Sequence, residues 1–227
     1  MKVIKELTLL EKLVLLFVFI LLMIGVAASW INVNWLNNVY VVEDGFIEWL
    51  TVLPLLIIVF VALKYVIELS GKRNWLFSVT LCFLALFCFF VAGEEISWGQ
   101  RLLNVEASPY FKENNAQAET NLHNLVIGGV RINKLIFSQI FIALAIIYLI
   151  VFPYLFRKKV WFKNLINKAG IPVVKPYQII AFLVVAILIA FCNGRNSELL
   201  EFASCFIFLL IILFPQNKEI FVVEKTA

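Results

Sequence analysis

The sequence predicts an all-α polytopic membrane helix bundle of about six transmembrane helices, with short helices on the outer surface between spans three and four. Three observations carry this expectation. Of 227 residues, 63% are hydrophobic and only 15% charged, against about 45–50% and about 25% in soluble domains. Mean hydropathy is +0.97. Six separate apolar segments are each long enough, or nearly so, to cross as a helix, which takes roughly 20 residues. Barrel strands would be shorter and would alternate in polarity. The same composition excludes disorder, because too much apolar surface would be left in water. Nucleic-acid binding is also excluded: the net charge is only +4, and the basic residues flank apolar runs instead of forming a patch.

The spans fall at about 13–28, 46–66, 75–92, 135–156, 179–192 and 199–214, making residues 1–227 a single integral membrane domain. The fifth is the weakest and extends back toward Pro176. Pro54 and Pro153 lie inside spans two and four, where each removes a backbone donor and favours a kink. Lys2 and Lys5 precede the first apolar run, and Val26-Ala27-Ala28 resembles a signal-peptidase site; the first span is expected to be retained. With the N-terminus, the second and fourth connections and the C-terminus on one side, that side holds fourteen Lys and Arg and the other five. The positive-inside rule then puts both termini in the cytoplasm and the chain in the inner membrane. Acidic residues show the opposite bias, five inside and ten outside.

The basic stretch 157–175 interleaves Val160, Trp161, Phe162, Leu165 and Ile166 with lysines, a pattern expected to lie along the inner membrane surface near anionic headgroups. Cys82, Cys88, Cys192 and Cys205 sit in or at the ends of spans with no metal-type spacing, and read as small buried hydrophobes.

The outer connection 93–134 is the only long polar stretch. Glu94 and Glu95 emerge at the membrane boundary, where ionisable groups are costly and usually paired or functional. A continued helix would put Glu94, Trp98 and Arg101 on one face, with Glu95 about 100° away. Ser108-Pro109 reads as a helix start. Further on, a helix would put Glu119 one turn from His123, the only histidine of the chain, with Gln117, Asn121 and Asn124 on a neighbouring face. A carboxylate one turn from a histidine suits an acid–base pair or two metal ligands. A three-histidine zinc site is excluded, whereas Glu94, Glu95, Glu119 and His123 could together hold a divalent ion.

The other outer connections contribute Glu43, Asp44 and Glu48, with Asp44 expected to cap span two, and Arg195, Glu198 and Glu201. Glu198 and Glu201 suit the first turn of span six. Arg195 suits a phosphate or carboxylate. Glu48, among apolar neighbours, calls for a partner such as Arg101 or Arg195.

The strings GEEISWGQR, over residues 93–101, and NAQAETNLHN, over 115–124, resemble a motif pair of uncharacterised bacterial multi-pass membrane proteins. The resemblance implies that this loop is the signature of such a family and brings no reaction with it. Membrane hydrolases of the alkaline ceramidase type use several histidines, and the single His123 argues against membership.

The leading expectation is an inner-membrane enzyme acting at the outer leaflet on a lipid or lipid-linked substrate, by hydrolysis or group transfer. Glu94, Glu95, Glu119 and His123 would supply acid–base chemistry or hold a divalent ion. Arg101 and Arg195 would bind an anionic headgroup, and Trp98, Gln100, Gln117, Asn121, Asn124 and Glu48 would position it. A small-solute transporter or receptor is the alternative, weakened by the scarcity of mid-span polar residues beyond Ser78, Thr80 and Ser138. A structural subunit whose polar loop docks an extracytoplasmic partner is the third.

Overall fold

The computed structural model describes residues 7–42, 45–131 and 141–222. Among these residues the architecture is helical, apart from one two-stranded hairpin. Helix α1, Leu9–Ile31, starts on a capping box. The Thr8 hydroxyl accepts from the Glu11 amide at 3.2 Å, and Glu11 accepts from the Thr8 amide at 2.7 Å; together they satisfy two donors that every helix start leaves open. Helix α2, Phe46–Leu69, passes through Pro54 as one element. Gly45 occupies its N-cap position, and Asp44 lies outside the described residues. Helix α3, Trp75–Glu95, is capped by the Asn74 side chain accepting from Leu76 N at 2.9 Å. These three are long and apolar enough to cross a membrane.

The fourth apolar segment is built differently. Helix α5, Phe141–Ile146, passes through a π-helical stretch, Ile147–Val151, into α6, Phe152–Lys158. The wider π turn precedes Pro153, whose missing N–H already interrupts the α-helical ladder. The expected beginning of this span, 135–140, lies outside the described residues. Helix α4, Pro109–Asn114, belongs to the outer connection and starts at Ser108-Pro109 as expected, although the Ser108 side chain makes no cap bond. Helix α7, Val160–Ala169, is the amphipathic piece; it buries Phe162 and Ile166 and exposes Val160 and Trp161. It ends at Gly170, whose φ is +69° and whose Cβ, if it had one, would lie 2.5 Å from the Phe77 ring. Helix α8, Pro176–Ala190, reaches back to Pro176, and α9, Ser197–Leu213, is the most buried helix of the set.

Helix α9 packs against α1, α2 and α8, while α2 also packs along α3. Leu199, Phe202, Ala203 and Leu210 of α9 are fully covered. Gly25 of α1 permits the closest approach: a Cβ there would come within 2.6 Å of Leu199. The outward faces remain apolar, with Phe60, Phe83 and Leu86 about 70% exposed. A fold with large apolar side chains inside and outside alike is the pattern of a protein solvated by lipid.

One end of the bundle is tied by buried polar side chains. Tyr177 OH donates to Glu11 Oε1 at 2.6 Å, and Lys175 Nζ lies 3.3 Å from the same oxygen. Gln178 Nε2 donates to the Leu210 carbonyl at 2.9 Å. Asn217, fully buried, donates to Asn167 Oδ1 and the Ile171 carbonyl and accepts from Val173 N. All four thiols are free, with Cys88 and Cys192 buried.

Candidate functional site

The opposite end carries the GEEISWGQR string. Helix α3 stops at Glu95, so the expected helical continuation through Arg101 is replaced by a reversal. Ser97, Trp98 and Gly99 all have left-handed φ, +46°, +56° and +74°. Non-glycine residues there cost roughly 1–2 kcal/mol each, so the surroundings must enforce the conformation. They do so from both sides of the chain. Trp98 Nε1 donates to Glu94 Oε1 at 2.8 Å, and its ring rests edge-on against Phe89 and Phe90. A Cβ on Gly93 would lie 2.8 Å from that ring, so Gly93 is what lets the indole fold back on the helix. Ser97 Oγ donates to Glu119 Oε2 at 2.5 Å and accepts from Asn121 Nδ2 at 2.8 Å.

The NAQAETNLHN string is turns, not the helix that the Glu119–His123 spacing suggested. Asn115 is the reason. Its Oδ1 accepts from Gln117 N at 2.8 Å and Glu119 N at 3.3 Å, while its Nδ2 donates to the carbonyl and side chain of Asn121, both at 2.9 Å. Short polar side chains that satisfy nearby backbone donors compete with a helical ladder. After an isolated bridge between Asn115 and Leu125, a hairpin pairs β1, Val126–Ile127, with β2, Val130–Arg131. Gly128 and Gly129 supply the two positive φ angles of its turn. That Gly-Gly pair between apolar residues is a hairpin signal the sequence reading did not use.

The two strings close on each other. Glu94 Oε2 accepts from Leu122 N at 2.6 Å and His123 N at 3.0 Å. Gln100 Oε1 accepts from Thr120 N at 2.7 Å. Arg101 pairs with Glu119, whose side chain is only 9% exposed. Asn124 Nδ2 donates to Gln117 Oε1 at 2.5 Å and Asn124 N to Asn121 Oδ1 at 3.0 Å. The structure therefore brings Glu94, Trp98, Gln100, Arg101, Gln117, Glu119, Asn121, His123 and Asn124 together as one fastening between the end of α3 and the loop. Ser97 and Asn115 are central to it and were missed; both lie inside the two strings, but their part depends on turns that helical spacing does not reveal. His123 contacts Glu94 through its backbone amide, and its residue is half-buried.

Glu95 faces elsewhere, as the 100° step from Glu94 implies. Its carboxylate lies within electrostatic range of Glu198, Glu48 and Glu94. Glu201 lies within range of Glu95, Glu198 and Glu48. Glu48, Glu95, Glu198 and Glu201 are all half-buried, and they come from α2, α3 and α9. Reading Glu198 and Glu201 only as first-turn residues missed this convergence, because the packing that creates it joins segments about 100–150 residues apart. Arg195 is exposed in the turn before α9, with its amide donating to Asn37 Oδ1 at 2.9 Å. Among the described residues, no three His, Cys, Asp or Glu side chains stand in an arrangement that could hold a metal ion. Outside the fastening, Lys112 donates to Glu106 at 2.6 Å; that bond, with the ammonium charge, holds Glu106 below the usual carboxylate range.

The chain matches no family model, no curated protein and no solved structure. The two strings are thus assigned to no family.

Proposed function

We propose that the chain crosses the inner membrane six times with both termini in the cytoplasm, and that its outer end carries the site of an enzyme acting on a lipid or lipid-linked substrate by hydrolysis or group transfer. Residues 1–227 then form one integral domain, in which the α5–α6 unit, α8 and α9 are spans four to six. The excess of Lys and Arg at one end supports the orientation. The observation that carries the site is that Glu48, Glu198 and Glu201, from two other helices, lie within electrostatic range of Glu95, at the end of α3 to which the loop is fastened. Carboxylates crowded at a membrane edge are groups with which enzymes move protons.

In this reading Glu95 moves the proton, with Glu201 and Glu48 beside it and His123 on the loop as its partner in acid–base exchange. Glu94 and Glu119 keep the loop seated over the site. Arg101, half-exposed beside Glu119, and Arg195 bind an anionic headgroup, with exposed Trp98 at its edge, while Gln100, Gln117, Asn121 and Asn124 act by holding the loop in shape.

The test is turnover of native lipid extract by purified protein in liposomes, read by mass spectrometry. Wild type should alter a lipid species, and Glu95→Gln and His123→Ala should stop it without lowering Tm. Unaltered lipids with wild type, or full turnover by both variants, would overturn the assignment.

A further inference from the structure

At the end of the bundle away from this site, the irregular fourth segment opens a lateral groove of about 340 Å³ between α6 and α8. That volume lies at the low end of small-ligand pockets, about 300–1,000 Å³. Its walls are Ile150, Pro153 and Tyr154 on one side and Ile179 on the other, and Arg157 and Lys158 line it at one end. The π stretch supplies Ile150 to the groove, and Pro153 follows it at the start of α6. It is open to the side: Ile150 and Tyr154 are 56% and 61% exposed.

Arg157 is held in place, its Nε donating to the Pro153 carbonyl at 3.0 Å. That bond uses Nε and leaves the two terminal nitrogens of the guanidinium, which can grip a phosphate in a fork, outside it. Among the described residues, no carboxylate lines the groove. An apolar channel that ends in two adjacent cations matches one kind of occupant in both halves.

We infer that this groove is a binding site for one anionic phospholipid, its phosphate on Arg157 and Lys158 and an acyl chain along Ile150, Pro153, Tyr154 and Ile179. Basic pockets between spans on the cytoplasmic side recognise such headgroups. The inference rests on α5–α6 being a membrane span, and not on any chemistry at the outer end.

Native mass spectrometry of the full chain in neutral detergent tests it, with phosphatidylglycerol, phosphatidylcholine or inorganic phosphate added. One phosphatidylglycerol per chain should be retained, at least about tenfold more tightly than phosphatidylcholine, and phosphate should not displace it. Arg157→Gln/Lys158→Gln should lose that preference, and Ile150→Trp, which fills the groove, should lose retention. Lys72→Gln/Lys168→Gln removes equal charge elsewhere and should keep both. Equal retention of the two lipids, equal loss in the two charge variants, displacement by phosphate, or unchanged retention in Ile150→Trp would each overturn the inference. Lys158→Gln alone serves if the double variant does not fold, and should weaken retention; unchanged retention there overturns the inference as well.

Discussion

Replacing Glu94 separates the outer loop from α3, and the two oxygens of this residue make the effect graded. Oε2 holds the amides of Leu122 and His123 at 2.6 and 3.0 Å, whereas Oε1 holds the Trp98 indole at 2.8 Å. Glu94→Ala removes both acceptors. Hydrogen bonds to a charged group are worth about 1.5–3 kcal/mol each. Trp98 is 44% exposed, so water replaces its bond, and the two backbone amides set the cost at about 3 kcal/mol after partial rehydration. Each 1.4 kcal/mol is a factor of ten, so local opening of 121–124 should become on the order of 100-fold more frequent. Glu94→Gln keeps one carbonyl for the two amides and turns its NH₂ toward the indole donor, costing about 1–2 kcal/mol, or roughly tenfold. Hydrogen exchange of peptides covering 119–125, in detergent micelles, reads these openings directly. Exchange in Glu94→Ala within twofold of wild type, or equal in the two variants, would show that Glu94 does not hold the loop.

Asn115→Ala should be nearly as costly, about 2–4 kcal/mol of local stability, because it orphans the Gln117 and Glu119 amides at once; limited proteolysis within 115–125 should accelerate. Gly170→Ala forces a Cβ into the Phe77 ring at a left-handed φ and should lower the unfolding free energy by about 2–4 kcal/mol, read as a fall in Tm. Glu106 is a carboxylate held below its ordinary range by Lys112, so its contribution is present above the unfolded-state value and is lost as pH falls through the lower folded-state value. Lys112→Ala should return the Glu106 titration, followed by NMR, to the ordinary carboxylate range, and leave thermal stability near wild type because the pair is exposed.

Long apolar runs were legible because membrane helices announce themselves by composition over some 20 residues, and α1, α2 and α3 stand where the runs predict. Their ends were less so: the first apolar run starts at about residue 13, yet the helix starts at Leu9, because Thr8 and Glu11 together form its cap. The fourth segment looked like one helix because a π turn leaves no mark on hydropathy. The outer loop shows the sharper failure. Spacing of four residues between Glu119 and His123 means a shared face only if the backbone is helical, and Asn115 decides that it is not. Conversely, the step between Glu94 and Glu95 was readable, because adjacent residues at the end of a helix point apart whatever follows. What Glu95 points toward was not readable, since Glu48, Glu198 and Glu201 reach it only through the packing of α2, α3 and α9.

The bond between Tyr177 and Glu11 spans 166 residues of chain. At the roughly 5–20 residues per second of synthesis, the carboxylate that closes the first helix waits on the order of 10–30 s for the phenol that covers it. Throughout that interval α1 has its cap from Thr8 but not its seat against α8. The earliest helix to be made therefore completes its contacts with α8 and α9 only when the final third of the chain is available.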